Sequence, residues 1–184
     1  MTVYLIRHGR TAANEAHLYC GSTDLPLSPA GIRELEALRY ELPEASFVTS
    51  GMRRTNQTLK LLFGDVPFRE EPRFREVDFG AFEMKSYAQL KDDPAYQRWL
   101  TGDNEANVPP EGESGVEMAQ RVWAAFQELR EDTVVIAHGG VIACILSRLF
   151  PEEGKSRYQW QPEPGRGYRI TEDGYQPIPG LKLL

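Results

Sequence analysis

The sequence predicts an α/β fold, a three-layer α/β/α sandwich around a mostly parallel central sheet. Three observations predict it. Short apolar runs alternate with amphipathic stretches along the chain, the pattern of strands and helices in turn. The run at 133–137 (TVVIA) is apolar without a break, as expected of a strand covered on both faces. Three strand-like runs lead directly into polar segments that open helices. At 184 residues the chain is sized for one domain, since domains average about 150 residues.

Each element follows from its residues. Residues 2–7 (TVYLIR) read as a strand. Residues 28–42 read as a helix, with Ser28 as N-cap, Pro29 at the first helical position, and Ile32, Leu35 and Leu38 at three-residue spacing. Residues 46–50 are a short strand, followed by a helix from about 52 to 63. Residues 65–83 are mixed, because Pro67 and Pro72 favour loop and edge structure. Asp93-Pro94 starts a helix with Tyr96, Trp99 and Leu100 on one face. Residues 114–130 form the longest amphipathic helix, capped by Ser114 and preceded by Glu111 and Glu113, and carrying Val116, Met118, Val122 and Phe126. After the strand at 133–137, an apolar helix at 141–150 stops at Pro151. The Gly- and Pro-rich end supplies an edge strand around 167–171.

Composition narrows the function. Apolar residues at 41% and charged residues at 26% match an ordinary globular protein rather than a disordered one. Lys and Arg total 21 against 27 Asp and Glu, a net charge of -6 without a basic tract. Neither nucleic acid nor a membrane surface is therefore an expected partner. The longest apolar runs, 134–137 and 141–146, fall far short of the ~20 residues that cross a bilayer. No secretory signal is read ahead of the first strand, so the cytoplasm is the expected compartment. Cys144, in an apolar run, is expected to be a small core residue unpaired with Cys20.

In open α/β sheets ligands bind at the carboxyl ends of strands. Here the first strand ends in Arg7-His8-Gly9-Arg10-Thr11, and the second at Ser50, with Arg53 and Arg54 opening the next helix. The third ends in His138-Gly139-Gly140. Two cations in a first helical turn oppose the helix dipole, and an anion bound there reverses the effect. Glycines at a helix start offer bare N–H groups. Guanidinium forks, imidazoles and a helix N-terminus together suit a compact dianion, and phosphate fits best.

These residues carry a family resemblance. Arg7-His8-Gly9-Arg10-Thr11 with Asn14 resembles the opening motif of the histidine phosphatase superfamily, with its phosphoglycerate mutase-like fold. Gly21-Ser22-Thr23-Asp24-Leu25-Pro26-Leu27-Ser28, then Ser50 through Thr58, then Arg75-Glu76-Val77-Asp78-Phe79-Gly80 continue the match in family order. Pro110-Glu111-Gly112-Glu113-Ser114 and Val135-Ile136-Ala137-His138-Gly139-Gly140 complete it. Met52 and Thr55 depart from the pattern as packing changes. Phe82 and Met84 stand where many relatives have Trp and Gly. The Glu83-Met84 ending and the 96–114 stretch with Trp99 are most similar to the bacterial α-ribazole phosphatases of cobalamin synthesis.

The resemblance implies roles. His8 is the nucleophile, Glu76 the general acid, and His138 the second active-site imidazole. Arg7, Asn14, Arg54 (rather than Arg53) and Gly139 hold phosphate; Cys20, Gly21 and Thr23 lie on the substrate side. No cofactor and no metal are expected, since the histidines lack His-Glu-x-x-His or His-x-His spacing. The chain is then one histidine phosphatase domain over 1–184, with about 84–112 a lid-like helical insertion. The expected partner is a small-molecule phosphate monoester, such as α-ribazole 5′-phosphate in cobalamin nucleotide-loop assembly. A broad-specificity sugar or glycolytic phosphatase, a phosphoglycerate mutase and a non-catalytic phosphate-binding module are the alternatives. Tyr87, Tyr96 and Trp99 suit helix packing, with stacking on an aromatic base as the other use. His17 reads as a loop surface residue.

Overall fold

A computed structural model describes residues 1–178 except Arg39 and Leu42. The elements run β1 (Val3–Arg7), α1 (Ala12–Glu15), α2 (Pro29–Glu36), β2 (Ser46–Thr49), α3 (Arg53–Phe63), β3 (Arg69–Glu70), α4 (Tyr87–Leu90) and α5 (Pro94–Leu100). They continue with α6 (Gly115–Gln127), β4 (Thr133–Ala137), α7 (Gly139–Leu149), α8 (Arg157–Trp160), β5 (Gly167–Thr171) and β6 (Gly174–Ile178). Strand order in the sheet is β3-β2-β4-β1-β5-β6. The first four in that order are parallel, and β5 and β6 are antiparallel additions.

Alternation along the strands divides the core in two. Val3, Leu5, Val48, Val135 and Ala137 face Met118 and Val122 of α6 and Val141 and Ile145 of α7. Ile6, Phe47, Val134 and Ile136 face Leu35 of α2 and Leu59 and Leu62 of α3. This is the three-layer arrangement: every residue of β4 is buried because helices cover both of its faces. The parallel strands β1, β2 and β4 all deliver their carboxyl ends to one edge of the sheet, and this shared direction sets His8, Ser50 and His138 side by side.

Local chemistry fixes the helix starts. Ser28 accepts from Gly31 N, and Ser114 forms a reciprocal capping box with Glu117. Asp93 accepts from Ala95 N at the start of α5. Three readings of the sequence need correction. The helix expected over 28–42 ends at Glu36, and Tyr40 leaves it to donate its hydroxyl to Gly165 O; positions 39 and 42 lie outside the described residues. The strand at 167–171 is not an edge, because β6 pairs along its outer side. Leu100 and Val116 are exposed rather than packed on their helices' buried faces.

Candidate active site

His8 follows β1 directly and its amide donates to Ala137 O, so the residue stays tied to the end of β4. Its Nδ1 lies 2.6 Å from Gly9 O and donates to that carbonyl, which leaves Nε2 with the free lone pair of a neutral ring. His138 sits at the start of α7, fully buried, with Nε2 2.8 Å from Ser50 Oγ. The two ring centroids are 5.0 Å apart at an interplanar angle of 63°. Burial pushes both imidazoles well below their ordinary pKa, and the Arg54 charge pushes in the same direction. Desolvation thus keeps the pair neutral.

Arg54 is 1% exposed in the first turn of α3, whereas Arg53 faces solvent. Two of its N–H groups are committed, one to Thr23 O at 2.9 Å and one to Gly21 O at 2.8 Å. A guanidinium has five such donors, so three remain for another acceptor. Arg7 donates to Pro162 O at 2.9 Å, while its Nε is buried without a partner. His138 Nδ1 is likewise buried and unpartnered. Buried donors without a protein partner are rare, and these two are placed to receive an acceptor.

Glu76 reaches the same place from an irregular segment after the 3-10 turn Pro72–Phe74. Its Oε1 accepts from Val77 N at 3.0 Å and its Oε2 from Gly140 N at 2.9 Å. A Cβ on Gly140 would collide with Oε1, so only glycine admits the carboxylate this close. The amide of Gly140 therefore serves Glu76, and of the two glycines only Gly139 keeps its amide for another acceptor at the helix start. Gly139 itself packs against Arg7, whose Cζ would be 3.3 Å from an added Cβ. Asn14 lies in α1, its Oδ1 accepting from Thr11 N at 2.9 Å and Thr11 Oγ1 at 3.0 Å, which leaves its amide nitrogen free.

Beside this cluster opens a cleft of about 280 Å³ lined by Arg7, Cys20, Glu76, Trp99, Arg157 and Gln161 among others. Of the substrate-side residues expected from sequence, Cys20 lines it, its thiol pushed up by burial and hence protonated. Gly21 and Thr23 do otherwise. Their carbonyls hold Arg54, and the Thr23 hydroxyl donates to Glu83 Oε2 at 2.7 Å. Glu83 is the residue that sequence reasoning missed. Its carboxylate also accepts from the amides of Gly21, Ser22 and Phe79 at 2.9–3.1 Å, and so fixes the loop that fixes Arg54. Four convergent donors give no one-dimensional signal.

Other predicted roles sort plainly. His17 is exposed at positive φ on a loop. Tyr96 is buried with Phe82 and Leu90, and its hydroxyl meets that of Tyr19 at 2.6 Å. Trp99 joins that cluster while lining the cleft; Tyr87 is exposed. Cys144 is only partly buried, a correction to the expected core position, and both cysteines are free. Among the described residues no group of three or more His, Cys, Asp or Glu side chains is arranged to hold a metal ion, and no helix is long and apolar enough to cross a membrane.

An α/β sheet whose parallel strand ends bring two buried imidazoles between guanidinium groups defines a class of enzyme built around a histidine pair. The chain belongs to the histidine phosphatase superfamily (branch 1), whose family model matches residues 3–177. It is 30% identical to the adenosylcobalamin/alpha-ribazole phosphatase of Salmonella typhimurium, over 90% of this chain and 87% of that protein. It is also 30% identical to the "Probable phosphoglycerate mutase GpmB" of Proteus mirabilis, over 98% of this chain and 88% of that protein. The crystal structure of phosphoglycerate mutase from Thermus thermophilus superposes with a TM-score of 0.79 at 29% identity, covering 100% of both chains.

Proposed function

We propose that the chain is a metal-independent phosphomonoesterase that hydrolyses a small-molecule phosphate ester through a phosphohistidine on His8. One observation carries the reading: two buried imidazoles with ring centroids 5.0 Å apart, Nδ1 of His138 and Nε of the neighbouring Arg7 both buried without a partner. A tetrahedral dianion supplies the missing acceptors. Arg7, Arg54, His138, the Asn14 amide nitrogen and the Gly139 amide hold its oxygens, and donors preorganised in this way are usually the largest catalytic contribution.

The chemistry balances in two steps. His8 Nε2 attacks phosphorus, the N–P bond forms, and the P–O bond to the leaving group breaks as Glu76 gives that oxygen its proton. Water then attacks phosphorus, the N–P bond breaks, and the proton lost by water returns to Glu76. The Nδ1–H bond to Gly9 O keeps His8 in the tautomer that both steps require.

The substrate of this reading is α-ribazole 5′-phosphate, handled in the cytoplasm. Support comes from the name of the Salmonella relative and from a cleft with Trp99 on its wall. Residues 84–112, which contain α4 and α5, act as a lid-like insertion within a single domain. A mutase is the second reading, favoured by the GpmB-named relatives; there a second substrate hydroxyl, not water, takes the phosphoryl group.

Rapid quenching into alkali after mixing with substrate tests the core of the proposal. Phosphate is expected on His8 and absent from a His8→Ala variant; a phosphate-free His8 during turnover refutes it. A panel of α-ribazole 5′-phosphate, 3-phosphoglycerate and fructose bisphosphate, run in EDTA, tests the rest. A flat profile rejects the cobalamin substrate, and loss of activity in EDTA rejects metal independence.

A further inference from the structure

We infer that Arg121, on α6, is a positioning residue for the carboxyl of Glu76. This rests on the reading of Glu76 as the proton donor. The guanidinium of Arg121 spends all five of its donors inside the protein. Nε and one Nη2 hydrogen meet the two oxygens of Glu113 at 2.7 Å each. Nη1 donates to Arg73 O at 2.8 Å and Arg75 O at 2.7 Å, and Nη2 to Glu76 O at 3.0 Å. A saturated guanidinium has nothing left for a phosphate oxygen, so Arg121 is no substrate ligand.

What it grips matters more than how many bonds it makes. The segment from 73 to 78 leaves its 3-10 turn and joins no sheet, and the carbonyls of Arg73, Arg75 and Glu76 meet no backbone donor among the described residues. Arg121 is the group that satisfies all three. Its partner Glu113 reaches the far end of the same segment, donating its amide to Asp78 O at 2.9 Å. On the opposite side Arg75 Nε donates to Ser50 O at 3.2 Å, which links the segment to the residue that bonds His138. The Glu76 side chain thus emerges from a backbone clamped on one side by α6, while its carboxylate is received by the start of α7. Lysine cannot substitute: a single ammonium reaches no fan of three carbonyls and a carboxylate.

The test compares leaving groups. Glu76→Gln, Arg121→Lys and Glu113→Gln are assayed on 3-phosphoglycerate, whose alkoxide needs a proton, and on p-nitrophenyl phosphate, whose phenolate does not. Arg121→Lys is expected to lose about 100-fold in kcat/KM on the alkyl ester, the scale of a misplacement of about 1 Å; kcat/KM reports the steps through formation of the phosphohistidine and so leaves out the second step, in which Glu76 serves both substrates alike. On p-nitrophenyl phosphate the loss stays within about threefold, and this activity also reports that the variant is folded. Adding Arg121→Lys to Glu76→Gln should cost nothing further on the alkyl ester, because the two act through one proton.

Equal losses on both substrates, or none on either, overturn the inference while leaving Glu76 as the acid. Glu113→Gln, which keeps Arg121 and its carbonyl contacts, is read on the same criterion should Arg121→Lys fail to fold. If Glu76→Gln itself shows no dependence on the leaving group, the reading of Glu76 falls, and Arg121 with it.

Discussion

Lowering the pH from 7.5 to 5.5 should destabilise this fold through two histidines alone. His8 and His138 are both buried, and both titrate well below 6.5 because burial and the Arg54 charge oppose a proton. Well above pH 6.5 the imidazoles are neutral in the folded and unfolded chains alike, and their effect on stability is complete. As pH falls through that value the unfolded chain gains protons that the fold excludes, so stability falls with it. One unit below the unfolded pKa each excluded proton has cost about 1.4 kcal/mol, and the two together about 2.7 kcal/mol. The Glu71 carboxyl, held below its ordinary range by its hydrogen bond to Arg73, contributes stability that is lost only at lower pH. Urea unfolding at constant slope reads the effect directly. His138→Gln should halve it, to about 1.4 kcal/mol over the same window. A wild-type midpoint that does not move between pH 7.5 and 5.5 refutes the claim that both rings are held neutral.

The remaining predictions concern single contacts. Gly140→Ala sets a methyl against Glu76 Oε1; the carboxyl must retreat by about 1 Å, and kcat on an alkyl phosphate should drop about 100-fold. Alanine at that helical position gains up to ~1 kcal/mol of propensity, so a thermal melt should show no loss, and undiminished turnover would contradict the assigned geometry. Glu83→Gln turns an amide donor toward four donors. It should cost about 2 kcal/mol, seen as a drop of about 4–8 °C in Tm, with KM raised through Arg54. Phe74→Ala, at a fully buried ring beside the Glu76 segment, should cost about 3–5 kcal/mol by denaturant titration.

What the sequence revealed and what it hid have separate physical causes. Strand ends were legible because a parallel sheet sends every carboxyl end to one side, so a polar residue after each apolar run must share a neighbourhood with the others. The choice of Arg54 over Arg53 is visible as burial only once α3 is docked, one residue face inward and the next outward. The hairpin of β5 and β6 is masked in the sequence because Pro177 reads as a strand breaker, yet an edge strand tolerates it. Asp173-Gly174 between two β-rich runs was the turn signal that could have found it. A helix reading runs past the end of α2 at Glu36 because Leu38 continues the three-residue spacing of Ile32 and Leu35 after the backbone has left the helix.

The cations at the start of α3 show how a broken local rule is made tolerable. Unshielded, two arginines at a positive helix end are repelled. The fold answers with fixed polar groups of the opposite sense. Asp24 Oδ1 accepts from Arg53 N at 2.8 Å and caps the helix from a neighbouring loop. Gly21 and Thr23 turn their carbonyls to Arg54, and residues 21–23 turn their donors to Glu83. The loop therefore stands as an aligned set of dipoles between a cation and an anion, and each end stabilises the orientation the other needs. Gly21 permits this packing: a Cβ there would run into Val77 O. The arrangement holds Arg54 in place without a carboxylate partner among the described residues. A direct ion pair would have satisfied the guanidinium and cancelled its charge; carbonyl dipoles orient it and leave the charge for an anion that arrives later.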